Sequence, residues 1–160
     1  VEEIEGTKAV LLDTRKTIPG LRNFSKYAVR CGGGKNHRMR LDDGILIKDN
    51  HIHIAGGIAE AINSVKKSKE INLPIQVECD NLNQVKTALA TGADSVLLDN
   101  MSPGSMRQAV KIVAGKIPVE ASGGITIENI LTVAETGVDY ISAGAITQRA
   151  SSVDIGLDVV

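Results

Sequence analysis

Aromatic residues are almost missing from this chain: Trp is absent, and one Phe and two Tyr account for 2% of the 160 residues. That scarcity argues against single-stranded nucleic-acid recognition by base stacking, which needs aromatic platforms. It also obliges the core of a 42% apolar chain to be built from Ile, Val, Leu and Ala. Two cysteines, Cys31 and Cys79, are too few for a disulfide framework, and a reduced, cytoplasmic setting is expected. No apolar run reaches membrane-spanning length and no basic-then-apolar leader is visible, so the chain reads as soluble. Zinc-ligand spacing is lacking too, because the three histidines (His37, His51, His53) fall in loop-like sequence away from any cysteine. His51 and His53 would share a face only if they lay on a strand. Ordinary hydrogen-bonded histidines are the preferred reading. The glycines from Gly32 match neither a P-loop nor a dinucleotide fingerprint, and no Ser sits in a G-x-S-x-G elbow.

What is present is a single domain over residues 1–160 with an uneven charge. Between Asp13 and Lys48 nine Lys/Arg face three acids, a net +6. The remainder holds nine basic and sixteen acidic residues, a net −7. A local basic field on an otherwise acidic protein suits a bound anion of limited size, whereas DNA would want a broad basic surface.

Short apolar runs alternate with helical patterns. The runs are Ala9–Leu12, Ile45–Ile47, Ile75–Val77, Ser95–Leu98, Ile117–Val119 and Tyr140–Ile141. Between them, Leu21/Phe24/Ala28, Ile58/Ile62/Val65, Leu82/Val85/Leu89, Met106/Val110/Val113 and Ile127/Leu131/Ala134 recur at helical spacing. Continuous apolar strands imply burial on both faces, hence a parallel sheet with crossover helices, either an incomplete parallel (β/α) barrel or a doubly wound sheet. Asn81 and Ser102-Pro103 read as helix starts, Gly92 and Gly137 as helix ends. The opening Val-Glu-Glu-Ile-Glu looks helical and reads as cut from something longer.

In parallel α/β folds ligands collect at the carboxyl ends of the strands. Those exits are Asp13-Thr14-Arg15-Lys16, Lys48-Asp49-Asn50-His51, Glu78-Cys79-Asp80, Asp99-Asn100, Ser122-Gly123-Gly124 and Ala143-Gly144-Ala145. The two late glycine turns offer backbone N–H groups to a phosphate, with the helix near Thr126 behind the first. Arg15, Lys16, His37, Arg38 and Lys48 form a basic half suited to carboxylates. Glu78 and Asp99 suit ribose hydroxyls or a phosphate-bound Mg²⁺. From residues alone the reading is an α/β enzyme for a phosphorylated sugar and a carboxylate co-substrate.

The run Leu12-Asp13-Thr14-Arg15-Lys16-Thr17-Ile18-Pro19-Gly20-Leu21-Arg22 resembles the quinolinate phosphoribosyltransferase family. The similarity continues through Tyr27-Ala28-Val29-Arg30-Cys31-Gly32-Gly33-Gly34, Asn36-His37-Arg38, Ile47-Lys48-Asp49-Asn50-His51, Val77-Glu78, Leu98-Asp99-Asn100, Glu120-Ala121-Ser122-Gly123-Gly124-Ile125 and Ser142-Ala143-Gly144-Ala145. The resemblance implies a type II phosphoribosyltransferase-like barrel that transfers phosphoribose from phosphoribosyl pyrophosphate to quinolinate with loss of CO₂. It implies that Thr14, Arg15, His37, Arg38 and Lys48 surround the quinolinate carboxylates and that Lys16 lies between quinolinate and pyrophosphate. Glu78 and Asp99 would meet the ribose hydroxyls and the Mg²⁺–phosphoribosyl pyrophosphate assembly. Ser122, Gly123, Gly124 and the turn Ala143, Gly144, Ala145 would cradle the 5′-phosphate. Lys16, Lys48, Glu78 and Asp99 are the residues expected to carry the chemistry.

The resemblance further implies a homodimer or dimer-based hexamer, and an N-terminal α/β sandwich domain whose arginine reaches the neighbouring barrel; without it the isolated chain is expected to be inactive. Gln148 stands where the family usually has His. Two other readings share part of the pattern. A phosphoribosyltransferase-like family associated with molybdenum transport carries the Thr-Arg-Lys block, and a phosphate-binding barrel lyase would use Lys48 as its Schiff-base lysine.

Overall fold

The computed structural model describes residues 1–68 and 73–158. Six parallel strands alternate with seven helices among these residues: β1 (Val10–Leu12), α1 (Arg22–Cys31), β2 (Ile45–Ile47), α2 (Asp49–Ala55), α3 (Ile58–Lys67), β3 (Ile75–Cys79), α4 (Leu82–Thr91), β4 (Ser95–Asp99), α5 (Pro103–Val113), β5 (Val119–Ser122), α6 (Ile130–Ala134), β6 (Tyr140–Ser142) and α7 (Ala145–Gln148). The strand order β1-β6-β5-β4-β3-β2 is that of a barrel read around its circumference and opened between β1 and β2. This excludes the doubly wound alternative, in which the order reverses at a switch point. Val1–Glu5 forms only a single 3₁₀ turn, Glu2–Ile4, whose buried Ile4 joins the core near α6.

The strands are not apolar on both sides, as the sequence reading expected. On β3, Ile75, Val77 and Cys79 enter the core against the helices, while Gln76 and Glu78 face the barrel interior. The same alternation puts Val96 and Leu98, Val119 and Ala121, and Ile141 outward into the helix layer. Ser95, Leu97 and Asp99, Glu120 and Ser122, and Tyr140 and Ser142 face inward. The core therefore lies between sheet and helices, completed by Ile62, Val85, Ala88, Met106, Ala109 and Val133. The interior is left for polar groups. Three strands run past their apolar segments to carry Glu78, Asp99 and Glu120. β5 also starts late, since Pro118 has no N–H to add to the ladder.

Helix starts were largely readable. The Asn81 side chain accepts the N–H groups of Asn83 and Gln84, and Ser102 accepts that of Ser105 ahead of Pro103. Gly92 closes α4 in the left-handed conformation. The faces of two helices differ from the expectation. On α6 the buried residues are Ile130, Val133 and Ala134, with Ile127 and Leu131 in solvent, and the helix begins at Ile130 instead of near Thr126. On α1 the apolar stripe Leu21/Phe24/Ala28 faces solvent and the helix buries Lys26 and Val29. The cause is Asp13, fully buried under α1 and paired there with Lys26. Asp13 thus belongs to the support of the rim and not to its surface.

The three glycines after α1 redirect the chain. Gly34 packs so closely on Val29 that a Cβ would stand 2.9 Å from its Cγ1. Lys35 then exchanges backbone hydrogen bonds with β1 along its open edge, donating to Leu11 and accepting from Asp13. That bridge carries His37 and Arg38 over the barrel mouth.

Candidate active site

The carboxyl ends of the strands surround a cavity of about 530 Å³. Thirteen of the fourteen residues picked from sequence line it: Thr14, Arg15 and Lys16 after β1, His37 and Arg38 on the bridging loop, Lys48 after β2, Glu78 on β3, Asp99 on β4, Ser122, Gly123 and Gly124 at the end of β5, and Gly144 and Ala145 after β6. The exception is Ala143. Its side chain is buried in the core and its N–H donates to the Leu12 carbonyl at 3.0 Å, so it has neither group free for a ligand.

One half of the rim is cationic and uncompensated. Among the described residues Arg15, Lys16 and Arg38 form no ion pair, and the buried Nε of Arg15 has no hydrogen-bond partner. Burial holds the Arg38 guanidinium below its ordinary proton affinity, and the neighbouring Arg15 charge adds to this while Asp43 opposes it. Arg38 is aimed by a hydrogen bond from Nη1 to the Gly44 carbonyl at 2.9 Å. The Thr14–Arg22 segment is clipped into shape by Arg22, which donates to Thr17 Oγ1 and the carbonyls of Arg15 and Met39. Thr147 of α7 locks the same loop by donating to the Lys16 carbonyl at 2.6 Å.

Lys48 caps α2, with its backbone N–H donated to His51 Nδ1 at 3.0 Å. His51 and His53 therefore lie on a helix, where a spacing of two points them apart. No group of three or more His, Cys, Asp or Glu able to hold a metal exists among the described residues. Lys48 Nζ lies 2.9 Å from Glu78 Oε2 and its side chain is 46% exposed. A Schiff-base lysine wants a desolvated, apolar setting, so this geometry speaks against the lyase alternative.

The other half offers backbone donors. Gly123 and Gly124 are consecutive left-handed residues, with φ of +90° and +60°. No acceptor among the described residues takes up their N–H groups or that of Gly144. Successive free N–H groups of this kind form an anion-binding concavity. Gly144 does not need positive φ, since it sits at −66° as the cap of α7. Gly123 is needed twice over, because a Cβ there would strike the Asn100 side-chain amide and come within 2.8 Å of its backbone N. Gly123→Ala is expected to cost about 1–2 kcal/mol from backbone strain alone and to weaken inorganic-phosphate binding. Thermal denaturation and phosphate titration would check it, and an unchanged melting temperature would contradict it.

Further residues line the site, some of them quoted from the sequence without an assigned role and some not singled out there at all. Asn100, left-handed at φ +51°, packs against Gly123. Leu46 and Leu97 supply the apolar wall, and Gln148 and Arg149 the far rim. Glu120 lies in the barrel interior, 3.4 Å from His37 Nε2 and accepting from Gln76 Nε2 at 2.8 Å. Burial alone would raise its carboxyl, but the polar groups of His37, Ser142 and Gln76 around it hold it below the ordinary 4.5. The stability tied to its ionisation is present in full above about pH 4.5 and is lost as the pH falls through its lower folded value. Denaturant titrations across this range should show that slope, and Glu120→Gln should flatten it.

This arrangement joins free cations, interior carboxylates and a backbone anion cradle in one mouth. The sequence matches the family described as quinolinate phosphoribosyl transferase, C-terminal domain, over residues 1–158. The chain belongs to that family. It is 47% identical over 149 residues to a probable nicotinate-nucleotide pyrophosphorylase (carboxylating) of Bacillus subtilis, covering 93% of this chain and 52% of the relative. It is 45% identical over 162 residues to the nicotinate-nucleotide pyrophosphorylase (carboxylating) of Mycobacterium leprae, covering 99% and 57%. The crystal structure of a nicotinate-nucleotide pyrophosphorylase from Ehrlichia chaffeensis superposes with a TM-score of 0.93 at 49% identity, covering 98% of this chain and 57% of that one. The chain thus spans little more than half the length of these members of the quinolinate phosphoribosyl transferase family.

Proposed function

We propose that this domain forms the catalytic barrel of a carboxylating quinolinate phosphoribosyltransferase, which joins quinolinate to phosphoribosyl pyrophosphate and releases nicotinate mononucleotide, pyrophosphate and CO₂. The observation that carries the reading is the pair of neighbouring guanidiniums, Arg15 and Arg38, that line one cavity and form no ion pair among the described residues. Two like charges held together lower each other's stability until a dianion arrives, and the vicinal carboxylates of quinolinate match two bidentate forks.

In this reading the carboxylates of quinolinate lie against Arg15 and Arg38 near Thr14, with Lys16 and Lys48 toward the reacting centre. The free N–H groups of Gly123, Gly124 and Gly144, with Ser122 and Ala145, take the 5′-phosphate. The ring nitrogen attacks the anomeric carbon as the C–O bond to pyrophosphate breaks. Glu78 and Asp99 hold the ribose and favour the positive charge that develops on it, while Lys16 faces the departing pyrophosphate. N-ribosylation leaves a pyridinium that accepts the electron pair when the adjacent carboxylate departs as CO₂. Positioning and fixed charge supply the acceleration, with no general base required.

Mg²⁺ fits as a companion of the substrate. Glu78 is already shared with Lys48, and Asp99 accepts from Asn100 Nδ2 at 2.9 Å, so the protein offers two carboxylates and no cage. Such an ion keeps its waters and substrate phosphates and would neutralise charge on the pyrophosphate beside Glu78 and Asp99.

A homodimer, or a dimer-based hexamer, belongs to the same proposal. Support comes from the exposed apolar side of α1, where Leu21, Phe24 and Tyr27 stand in solvent. A reduced, cytoplasmic setting is in keeping with two free cysteines, and no helix among the described residues is long and apolar enough to cross a membrane. The deciding assay is release of labelled CO₂ from carboxyl-labelled quinolinate by the intact natural protein with phosphoribosyl pyrophosphate and Mg²⁺. Absence of quinolinate-dependent release would refute the proposal.

A further inference from the structure

Glu120 is a charge in the middle of the barrel that the chemistry above leaves unused. Only 3% exposed, it reaches His37 and Gln76 through Oε2, and Oε1 has no hydrogen-bond partner among the described residues. It stands between the mouth and a second cavity of about 440 Å³ at the opposite ends of the strands. His37 is the one other side chain that lines both. A buried carboxylate with so few partners is costly unless the contact it keeps does something.

The partner's hydrogen bonding tells what. His37 Nδ1 accepts the backbone N–H of Arg38 at 2.8 Å, so that nitrogen carries no proton. The neutral ring is then protonated at Nε2, the atom that faces Glu120. Protonation at Nδ1 would expel the Arg38 N–H. Nδ1 is therefore occupied, and Nε2 lies 3.4 Å from Glu120 Oε2. The His37 backbone is held from the other side of the sheet, its N–H donated to Asp13 Oδ1 at 2.8 Å and its carbonyl accepting from Lys26 Nζ at 2.9 Å. The residue is clamped by an ion pair outside the barrel and a carboxylate inside it.

We propose that Glu120 is a positioning residue: by accepting the Nε2 proton of His37 it selects the ring tautomer whose Nδ1 holds the Arg38 backbone, and so presents the Arg38 guanidinium to the substrate carboxylate. This rests on the quinolinate reading of the cationic wall. A carboxylate behind a histidine orients ligating imidazoles in the same way when the partner is a metal.

The test combines a substrate-free and a kinetic readout on the intact natural protein. With ¹⁵N-labelled histidine, the His37 ring, identified by loss of its signals in His37→Asn, should show a bare Nδ1 and a protonated Nε2. Glu120→Gln should give a mixture of tautomers. It should raise the quinolinate KM roughly tenfold, the effect of losing one charge-assisted hydrogen bond, with the phosphoribosyl pyrophosphate KM unmoved. Glu120→Asp, which restores the charge but not the reach, should fall between. An unchanged His37 tautomer and quinolinate KM in Glu120→Gln would overturn the proposal, as would equal rises in both KM values with a lowered melting temperature. If the parent shows the expected tautomer but no turnover of quinolinate, the functional reading falls and the orientation of His37 by Glu120 stands.

Discussion

Arg38→Ala is expected to lower kcat/KM for quinolinate by about two to three orders of magnitude without lowering the stability of the free protein. The loss follows from removing a bidentate, charge-assisted pair, roughly 3–4 kcal/mol when two such hydrogen bonds go together. The stability follows from the ligand-free wall. There the guanidinium is disfavoured by burial and by Arg15, and its removal relieves Arg15 of a like charge. Arg38→Lys should recover only a small part of the activity, because an ammonium restores the charge and not the fork. Steady-state kinetics and urea denaturation on the same preparations decide the matter. A variant that unfolds more easily yet binds quinolinate normally would show that Arg38 holds the Gly44 loop and nothing else.

Asp13→Ala should give the opposite profile. It strands Lys26 as an unpaired ammonium, 3% exposed, and frees the His37 N–H and the Asn36 amide that Asp13 also accepts. Breaking a buried pair from one side costs roughly 3–5 kcal/mol, readily measured by denaturant unfolding. Replacing both partners with apolar residues, Asp13→Val with Lys26→Met, should recover most of that stability, since the desolvation penalty disappears with the charges. Quinolinate affinity should remain poor in the double variant, because nothing then holds the His37 backbone. Recovery of stability and affinity together would mean that the pair serves packing alone.

The two predictions mark what could and could not be read from the chain. Strand positions and the rim were legible because every apolar run but the last is followed directly by a charged residue, and parallel topology gathers those ends by itself. The contacts behind the rim were not. Lys26 sits within a helix whose apolar stripe points the other way, and only the pairing with Asp13, thirteen residues earlier, reveals which face is buried. Glu120 did leave a trace, an acid directly continuing the run Ile117–Val119, where a charge inside a strand must find a partner. That the partner would be His37 depends on Gly32–Gly34 turning the chain back beside β1, a long-range event with no local signature. Ala143 erred for the reverse reason: its neighbours in sequence face the mouth, but strand alternation sends its side chain into the core.

That alternation has a consequence for how such a domain can change. On β3 the odd-numbered residues pack the core and the even-numbered ones face the barrel interior; on β4 the parity is reversed. Apart from a buried charge such as Glu120, melting temperature and substrate choice are thus written in separate, interleaved alphabets along the same few strands. Selection can respell one while leaving the other intact, so a lineage of these barrels is free to exchange one anionic substrate for another at little thermal cost. A saturation scan of β3 to β6 would show it as a two-residue beat, stability defects on one count and activity defects on the next.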